Sequence, residues 1–529
     1  MTLEDLVYKS ENWPWLSNTI EKAGTLGLTT KQISQKTRVK ETIIKKGISE
    51  LQQRGEIVRV GRDLWVLKRY KDIRNDPRFI KPRWYIEEFI ERHENVSFAK
   101  YRHKITFAEN GGKKFHRWSP YVQGFSASFV EDVMTRYNLG KGDLVLDPFA
   151  GSGTVLVCAK MRGVDSIGVD LMPLMTFMTK VKTTWDIDVS QIRKELKRIS
   201  QNRDIKEDGT LLPFLKETKR HFSEKVLNNL LVLKHLILST ENYKIRDLFL
   251  LAFASILVNC SNLKRSPCLG YVEDKKVSKD APFKFFFEKV TQMMDDLRFI
   301  QQRDGDWGAV QIFTADARKM TYSEPIDFAI TSPPYVNGMD YVTNYKIEMA
   351  WLGINSVKIR SYKDLKKLRD EMVSCDNISK QSVRDFAEQP QKYDDDWLNR
   401  IVSDIHDRII SKGTYRRNDM HLIVKKYFED LYETFEQVYK GLKDNGRFII
   451  VIGDSLIAGT YIPTDLILAR MGEKIGFSVE DIEVARERRS GQRRSFKLRE
   501  SIVTLIKGEP LKRLRQLKSF FEGKGNISG

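Results

Sequence analysis

Apolar and polar positions change period several times along the chain, and each change marks a different element. "TTKQISQKT" reads as a short helix opened by Thr29 or Thr30. A turn at Arg38-Val39 leads into "KETIIKKGISELQQRG", where Ile44, Ile48 and Leu51 fall at i, i+4 and i+7 and make one apolar stripe. Lys40, Lys45 and Lys46 face elsewhere, and Gly55 stops the helix. "EIVRVGRDLWVL" then reads as two strands turning at Gly61-Arg62-Asp63. Asp72 to Arg117 is polar, basic and aromatic, a connector with some helix. "LVLDPFAGSGTVLVCAKMRGVDSIGVDL" supplies strand, glycine-rich turn, helix and strand, the opening βαβ unit of a doubly wound sheet. Helical periodicity dominates from about Ile187 to Trp307 and interrupts the sheet pattern. Sheet signals return at "AVQIFTADA" and "IDFAITS", a second polar, mostly helical block covers about Asn355 to Tyr415, and "GRFIIVIGDS" and "ESIVTLIKG" read as late strands. The expected class is α/β, divided into 1–72, a connector 73–116, a sheet domain in two pieces, 117–186 and 308–508, a helical insertion 187–307, and a basic tail 509–529.

Charge adds a partner to this picture. The chain of 529 residues carries 90 Lys+Arg against 71 Asp+Glu, a formal charge of +19, and such an excess favours a polyanion, most simply nucleic acid, over a merely solubilising surface. Helix, turn, basic helix and hairpin over residues 1–72 resemble a winged helix-turn-helix. In that reading Lys40, Lys45 and Lys46 lie on the groove helix, and Arg59 and Arg62 on the wing touch phosphates. A winged helix used for protein contacts is the alternative. "RERRSGQRRSFKLR", with Arg488, Arg489, Arg493 and Arg494, reads as a loop or hairpin gripping phosphates, against the alternative of a solvated charge run. "NLKRSPCLGYVEDKKVSKD" is a second basic stretch.

Other classes are disfavoured. Cys158, Cys260, Cys268 and Cys375 are scattered with no CxxC pair, so neither a metal site nor a disulfide framework is expected. "MTLEDLVYKSENWPW" lacks the basic and apolar regions of a signal peptide. The most apolar run, Leu248 to Val258, is far shorter than the roughly 20 residues a membrane-spanning helix needs. A cytoplasmic protein without a membrane partner is expected.

Candidate chemistry lies at the strand ends. In "DPFAGSGT", Gly151 and Gly153 let the backbone approach a ligand and adopt positive φ. No Gly-Lys-Ser/Thr ending follows, which argues against a phosphate-gripping P-loop. Asp170 closes "IGVD" about twenty residues on, where an acid can accept both ribose hydroxyls of an adenosine group, or cap the next helix. Asp316 in "TADARKM" is a candidate acceptor for an adenine amino group, or another capping Asp. "TSPPY" ends a strand on two prolines, which cannot donate to a ladder. An exocyclic base amine is a poor nucleophile because its lone pair is delocalised into the ring. Two acceptors aimed at its N–H bonds let the nitrogen become tetrahedral. Ser332 supplies one oxygen, and the Pro333 carbonyl, stiffened by Pro334, supplies the other. Tyr335 stacks on a base pulled from its helix.

"DPFAGSGT", "IGVD", "TADA" and "TSPPY", in this order at strand ends, resemble the S-adenosylmethionine-dependent DNA amino-methyltransferases. The resemblance covers about Arg117–Asp170 and Val310–Gly508 and implies a Rossmann-like methyltransferase sheet carrying the catalytic domain. It also implies S-adenosylmethionine as cofactor, double-stranded DNA as partner, and a place in restriction-modification with a restriction or defence-system partner. In that family the glycine turn and following acid hold the cofactor. This implies cofactor roles for Asp147, near the amino-acid end, and for Phe149. An aromatic ahead of the turn packs on the cofactor, and in "RWSPYVQGFSASFVEDV" the matching candidates are Tyr121 and Phe125. The Ser form of the motif is more typical of cytosine-N4 enzymes and the Asp form of adenine-N6 enzymes, so cytosine N4 is favoured with adenine N6 as the alternative. An RNA amine methyltransferase and a non-catalytic DNA-binding regulator are the readings from other classes. A cytosine-C5 enzyme would need a Pro-Cys nucleophile; Pro267-Cys268 lies in the insertion, away from any sheet strand, and is taken as structural or incidental.

Overall fold

The structure is a computed structural model that describes residues 13–23, 28–61, 63–68, 88–89, 91–93, 101, 105–122, 124–205, 209–266, 268–373, 377–412, 417–489 and 497–509. Near the start, helices α1 (Pro14–Ala23), α2 (Thr30–Thr37) and α3 (Glu41–Gln53) precede an antiparallel hairpin of β1 (Ile57–Gly61) and β2 (Leu64–Leu67). Thr29 caps α2 through a reciprocal box with Gln32, Arg38 turns the chain at φ 59°, and the predicted stripe of Ile44, Ile48 and Leu51 is buried. Thr30 is tied to Asp63 at the hairpin turn, Oγ1 to Oδ1 at 2.6 Å. Arg62 lies outside the described residues.

After helix α4 (Ala127–Arg136) the sheet begins: β3 (Leu144–Asp147), α5 (Thr154–Arg162), β4 (Asp165–Asp170) and α6 (Pro173–Thr183). The insertion contributes α7 (Val189–Gln201), α8 (Glu224–Leu238), α9 (Tyr243–Cys260), a small hairpin of β5 (Leu263–Arg265) and β6 (Leu269–Tyr271), and α10 (Ala281–Gln301). Strands β7 (Val310–Thr314) and β8 (Ile326–Thr331) follow, then α11 (Tyr341–Val357), α12 (Tyr362–Glu371), α13 (Lys380–Ala387), α14 (Asp396–Lys412) and α15 (Met420–Gly441). The chain closes with β9 (Leu442–Gly453), β10 (Ser455–Ile457), β11 (Thr460–Ile462), α16 (Thr464–Ile475), β12 (Ser478–Arg489) and β13 (Lys497–Ile506).

Seven strands form one sheet in the order β12-β13-β9-β8-β3-β4-β7. From β9 to β7 all pairings are parallel, and β13 runs against both of its neighbours. All four residues of β3 are buried, as expected of a central parallel strand covered on both faces. The chain winds outward from β3 through β4 to β7, then returns to β8 on the other side of β3 and continues to β9. The order therefore reverses between β3 and β8. In open α/β sheets the crevice at the carboxyl ends of the strands beside such a reversal takes the ligand.

The insertion shares a hydrophobic core with the sheet's own helix α6: Met175, Met178 and Val181 pack in one cluster with Leu230, Phe249, Phe253 and Phe286. Asp296 of α10 is fully buried and accepts from the Phe115 amide (3.0 Å), Trp118 Nε1 (2.9 Å) and Arg117 Nε (3.1 Å). Unpaired, that carboxylate would be costly; here it fastens the segment before the glycine turn onto the insertion. The stretch expected to be a connector joins the fold before its end, since Tyr101 donates its amide to Val484 of β12 and Thr106 bridges Phe125.

Candidate active site

The glycine turn is built by backbone geometry that side chains would block. Gly151 (φ +51°) and Gly153 (φ +80°) both lie in the left-handed region. A Cβ on Gly151 would stand 2.6 Å from the Tyr121 hydroxyl, and one on Gly153 would stand 2.6 Å from Thr179 Oγ1. Two residues of α6 support the turn from below. Thr179 Oγ1 donates to the Gly151 carbonyl (3.2 Å), and the fully buried Lys182 donates its Nζ to the Ser152 carbonyl (3.1 Å). Burial, helped by the Lys289 charge, pulls the Lys182 ammonium down to about 7.

Asp170 ends β4 beside this turn. Its Oδ2 accepts the Gly151 amide and its Oδ1 the Met172 amide, both at 2.8 Å. Burial raises it to about 6 against the pull of those two amides. Each carboxylate oxygen retains a second lone pair. Asp147, at the end of β3, is 2 % exposed and sits beneath the turn. Its Oδ1 accepts from Thr331 Oγ1 (2.7 Å) and from the Phe149 amide (3.1 Å), and burial raises it to about 7.

Asp316 follows β7 and is held by Arg318, whose Nε meets Oδ1 at 2.8 Å and whose Nη2 meets Oδ2 at 2.9 Å. Burial alone would raise this carboxyl, but the Arg318 bonds and charge outweigh it and leave Asp316 below its ordinary range. Arg318 also reaches Asp430 of α15 (2.6 Å) and the Glu371 carbonyl (2.5 Å), joining three segments.

The loop after β8 is pinned at three points. Tyr427 donates its hydroxyl to the Pro334 carbonyl (2.8 Å), Tyr335 donates its own to Glu500 Oε1 (2.7 Å), and Ser455 Oγ donates to Asn337 Oδ1 (3.0 Å). Among the described residues no hydrogen bond ends on the Pro333 carbonyl.

A cleft runs along these strand ends. Tyr121, Phe149, Asp170, Asp316, Ser332 and Pro334 all line it. Met172, Met175, Ala315 and Val373 add apolar wall, and Arg318, Tyr341 and Thr434 complete the polar part. Tyr121 lies parallel to Tyr341 (centroids 6.3 Å, 24°) and Tyr345 (6.0 Å, 18°), and this aromatic stack sets its hydroxyl over Gly151. The donor set fits a nucleoside-bearing cofactor: a carboxylate beside a glycine turn that a methyl group would fill, next to an apolar wall.

Several expected residues are elsewhere. Phe125 does not line the cleft: it is buried against Phe129 (5.4 Å) and paired with Thr106. Its backbone belongs to a bridge, so its side chain turns into the core behind α4, while Tyr121, four residues earlier, reaches the cleft. Asp147, Gly151 and Gly153 form the floor beneath the cleft, and Pro333 is buried. Tyr335 stands outside the cleft, its ring against Gly453 and its hydroxyl drawn to Glu500. Arg488, expected at phosphates, is half-buried; it donates Nη2 to the Asp454 carbonyl (2.8 Å) and lies 5.8 Å from the Tyr335 ring centre. Arg486, two residues earlier on the same face of β12, is exposed. Lys40, Lys45, Lys46 and Arg59 are exposed on the N-terminal unit. The Arg489 side chain, Arg493 and Arg494 lie outside the described residues. Cys268 is exposed at the β5–β6 hairpin, away from the cleft.

A model of the N6_N4_Mtase family, described as DNA methylase, matches residues 65–175, the stretch that holds Tyr121, the glycine turn and Asp170. The chain is 25% identical over 431 residues to the type II methyltransferase M.BsoBI of Geobacillus stearothermophilus, covering 73% of this chain and 83% of that protein. It is 25% identical over 434 residues to the type II methyltransferase M.AvaI of Anabaena variabilis, covering 74% and 84%. Among solved structures, the rRNA methyltransferase aviRa from Streptomyces viridochromogenes aligns with 77% of this chain and 97% of its own at 9% identity, with a TM-score of 0.27, too low to carry an argument. Matched along most of the relatives' length, with the glycine turn and its acid inside the family region, the chain resembles the S-adenosylmethionine-dependent DNA amino-methyltransferases, and these matches support that family for it.

Proposed function

We propose that the protein methylates the exocyclic amine of a base extruded from double-stranded DNA, and that the base is cytosine, modified at N4. The observation that carries this is the sharing of one cleft by Ser332, Pro334, Asp170 and Tyr121. S-adenosylmethionine, when bound, supplies an electrophilic methyl group on a sulfonium. Asp170 accepts the ribose hydroxyls through its spare lone pairs, Asp316 and Phe149 face the adenine end, and Tyr121 closes the site over Gly151. Asp147 acts from beneath, by holding the turn in shape.

Ser332 Oγ and the Pro333 carbonyl accept the two amine N–H bonds of the base. Tyr427 already occupies the Pro334 carbonyl, so the Pro333 oxygen is the one left for the amine. Held this way, the amine nitrogen would be turned to take the methyl group that bound S-adenosylmethionine would supply, the sulfonium leaving as a neutral thioether, and the nitrogen would shed one proton to water. No enzyme-bound covalent intermediate is needed, and orientation in a water-poor pocket supplies much of the rate. A serine hydroxyl stabilises growing positive charge on nitrogen less than a carboxylate would, and this favours cytosine N4 over adenine N6.

The N-terminal helices and hairpin act as a winged helix-turn-helix on the duplex, with Lys40, Lys45, Lys46, Arg59 and Arg62 at phosphates. The arginines around Gly491 form a second grip. In this reading 1–72 is the DNA-binding unit, 73–116 the connector, 117–186 with 308–508 the catalytic domain, 187–307 the insertion and 509–529 the tail. No helix among the described residues is long and apolar enough to cross a membrane, and a cytoplasmic enzyme serving a restriction or defence system is consistent with its type II relatives. Methyl transfer to genomic DNA, followed by mass identification of the modified nucleoside, tests the reading. N4-methylcytosine is expected; N6-methyladenine would overturn the choice of base, and absence of any methylated nucleoside would overturn the activity.

A further inference from the structure

Tyr335 ends the TSPPY motif outside the cleft, and its surroundings are well defined. Its hydroxyl donates to Glu500 Oε1 at 2.7 Å. Glu500 is only 7% exposed and lies on β13, which pairs with β9 so that Glu500 faces Gly453. Gly453 leaves room for the ring: a Cβ there would approach Tyr335 Cε2 to 2.8 Å. The other carboxylate oxygen of Glu500 is taken by Arg486 Nε on β12, and Arg488 lies 5.8 Å from the ring centre. The phenol is held well above its ordinary range by burial, the Glu500 charge and the Glu500 bond. A chain of contacts thus runs from the catalytic loop through Glu500 to Arg486, at the base of the arginine-rich hairpin.

We infer that Glu500 is a positioning residue for Tyr335: it fixes the ring against Gly453, so that the loop carrying Ser332 is held in one shape, and through Arg486 it ties that loop to the β12–β13 hairpin. The inference rests on the proposed methylation of an extruded base. The physical ground is that a ring anchored only at its Cα would sample several rotamers, and each one frozen on binding takes free energy from the step. Anchoring the phenol end beforehand removes that loss. Gly453 and the parallel β8–β9 pairing set the ring's other limits, and Glu500 supplies a directional bond at the phenol end.

Three variants separate this role from simple stability. Glu500→Gln keeps an oxygen acceptor for the phenol; Glu500→Ala removes it. Tyr335→Phe removes the donor instead. In single-turnover methyl transfer to genomic DNA, Glu500→Ala is expected to fall by about 10-fold or more, because small misplacements of reacting groups cost rates of this order. Glu500→Gln should stay within about 3-fold of the parent, and Glu500→Ala in the Tyr335→Phe background should add little, because coupled residues fail to add. S-adenosylmethionine affinity should be unchanged throughout. Independent multiplication of the two single effects would overturn the inference. A second measurement does not depend on turnover: fluorine NMR of the 3-fluorotyrosine-labelled protein, with the Tyr335 signal assigned by its loss in Tyr335→Phe. One narrow, shifted signal is expected in the parent and in Glu500→Gln, and a broadened or displaced one in Glu500→Ala. An unchanged signal in Glu500→Ala refutes the positioning role even if DNA methylation itself proves wrong, and a parent that transfers no methyl but shows the expected signals refutes only the activity.

Discussion

Thr331 Oγ1 donates a 2.7 Å hydrogen bond to Asp147 Oδ1 across the parallel β3–β8 pair, inside the protein. Thr331 is the residue before Ser332, and Asp147 is the residue before the glycine turn. One bond thus joins the loop proposed to hold the base to the turn proposed to hold the cofactor. Thr331→Val keeps the shape but removes the donor. It should cost about 1–3 kcal/mol of stability, since a buried polar acceptor loses a partner, and denaturant unfolding would measure it. Methyl transfer should fall as well, with the cofactor bound more weakly, because the floor of the turn loosens.

The same carboxyl makes stability depend on pH. Burial raises Asp147 in the folded state from the ordinary carboxylate range to about 7. The folded protein therefore keeps this proton where the unfolded chain has lost it. Its contribution is fully present below about pH 4 and is lost as pH rises through about 7. Asp147→Asn keeps a side chain that never ionises, so its stability should decline less between pH 4 and 7 than the parent's. Parallel urea titrations at several pH values would show the two curves converging at the acid end; curves that stay parallel would argue that Asp147 is ionised in the fold.

Much of this site is legible in short stretches. The apolar runs that became β3, β4, β7, β8, β9 and β13 are bounded by turn residues, and the residues at their ends are local signals. Asp170, Asp316, Ser332 and Pro334 could be found that way because each lies within a few residues of a strand end, whereas Tyr121, ahead of α4, came only through the family resemblance. The partners that hold them could not. Arg318 was visible inside "TADARKM", but its second partner, Asp430, is 112 residues away. Tyr335 and Glu500 are 165 residues apart, and Arg117 and Asp296 are 179 apart. Period and composition carry no information about such pairs. Phe125 illustrates the other limit: two aromatics four residues apart look alike in sequence, and only the Thr106 bridge decides which one faces the core.

Gly151 offers a steric test of the proposed cofactor turn. Its φ of +51° strains any other residue, and a methyl there would meet the Tyr121 hydroxyl at 2.6 Å. Gly151→Ala should therefore push Tyr121 away from the turn and weaken S-adenosylmethionine binding by at least about 10-fold, equivalent to about 1.4 kcal/mol. Equilibrium dialysis with labelled cofactor would measure this directly. The companion variant Tyr121→Phe deletes the hydroxyl that the methyl would strike. If the clash is the cause, adding Tyr121→Phe to Gly151→Ala should recover part of the lost affinity. Failure of the pair to recover any would assign the loss to backbone strain alone.

Ser332→Ala separates holding the base from holding the cofactor. Ser332 lines the cleft but is on a different strand end from Asp170, and only the latter bonds the glycine turn. In the proposed clamp, deleting its hydroxyl leaves the amine with one acceptor, the Pro333 carbonyl, so the nitrogen would no longer be turned toward the methyl group. Loss of one preorganised hydrogen-bonding group at a reacting centre typically costs about 10²–10³ in kcat. The variant should bind S-adenosylmethionine nearly as the parent does, because no bond to the turn is touched. Titration calorimetry for the cofactor and labelled methyl incorporation into genomic DNA, run on one preparation, give both quantities. A Ser332→Ala protein that transfers methyl groups at the parental rate would remove Ser332 from the proposed clamp and leave the backbone carbonyl as its sole acceptor.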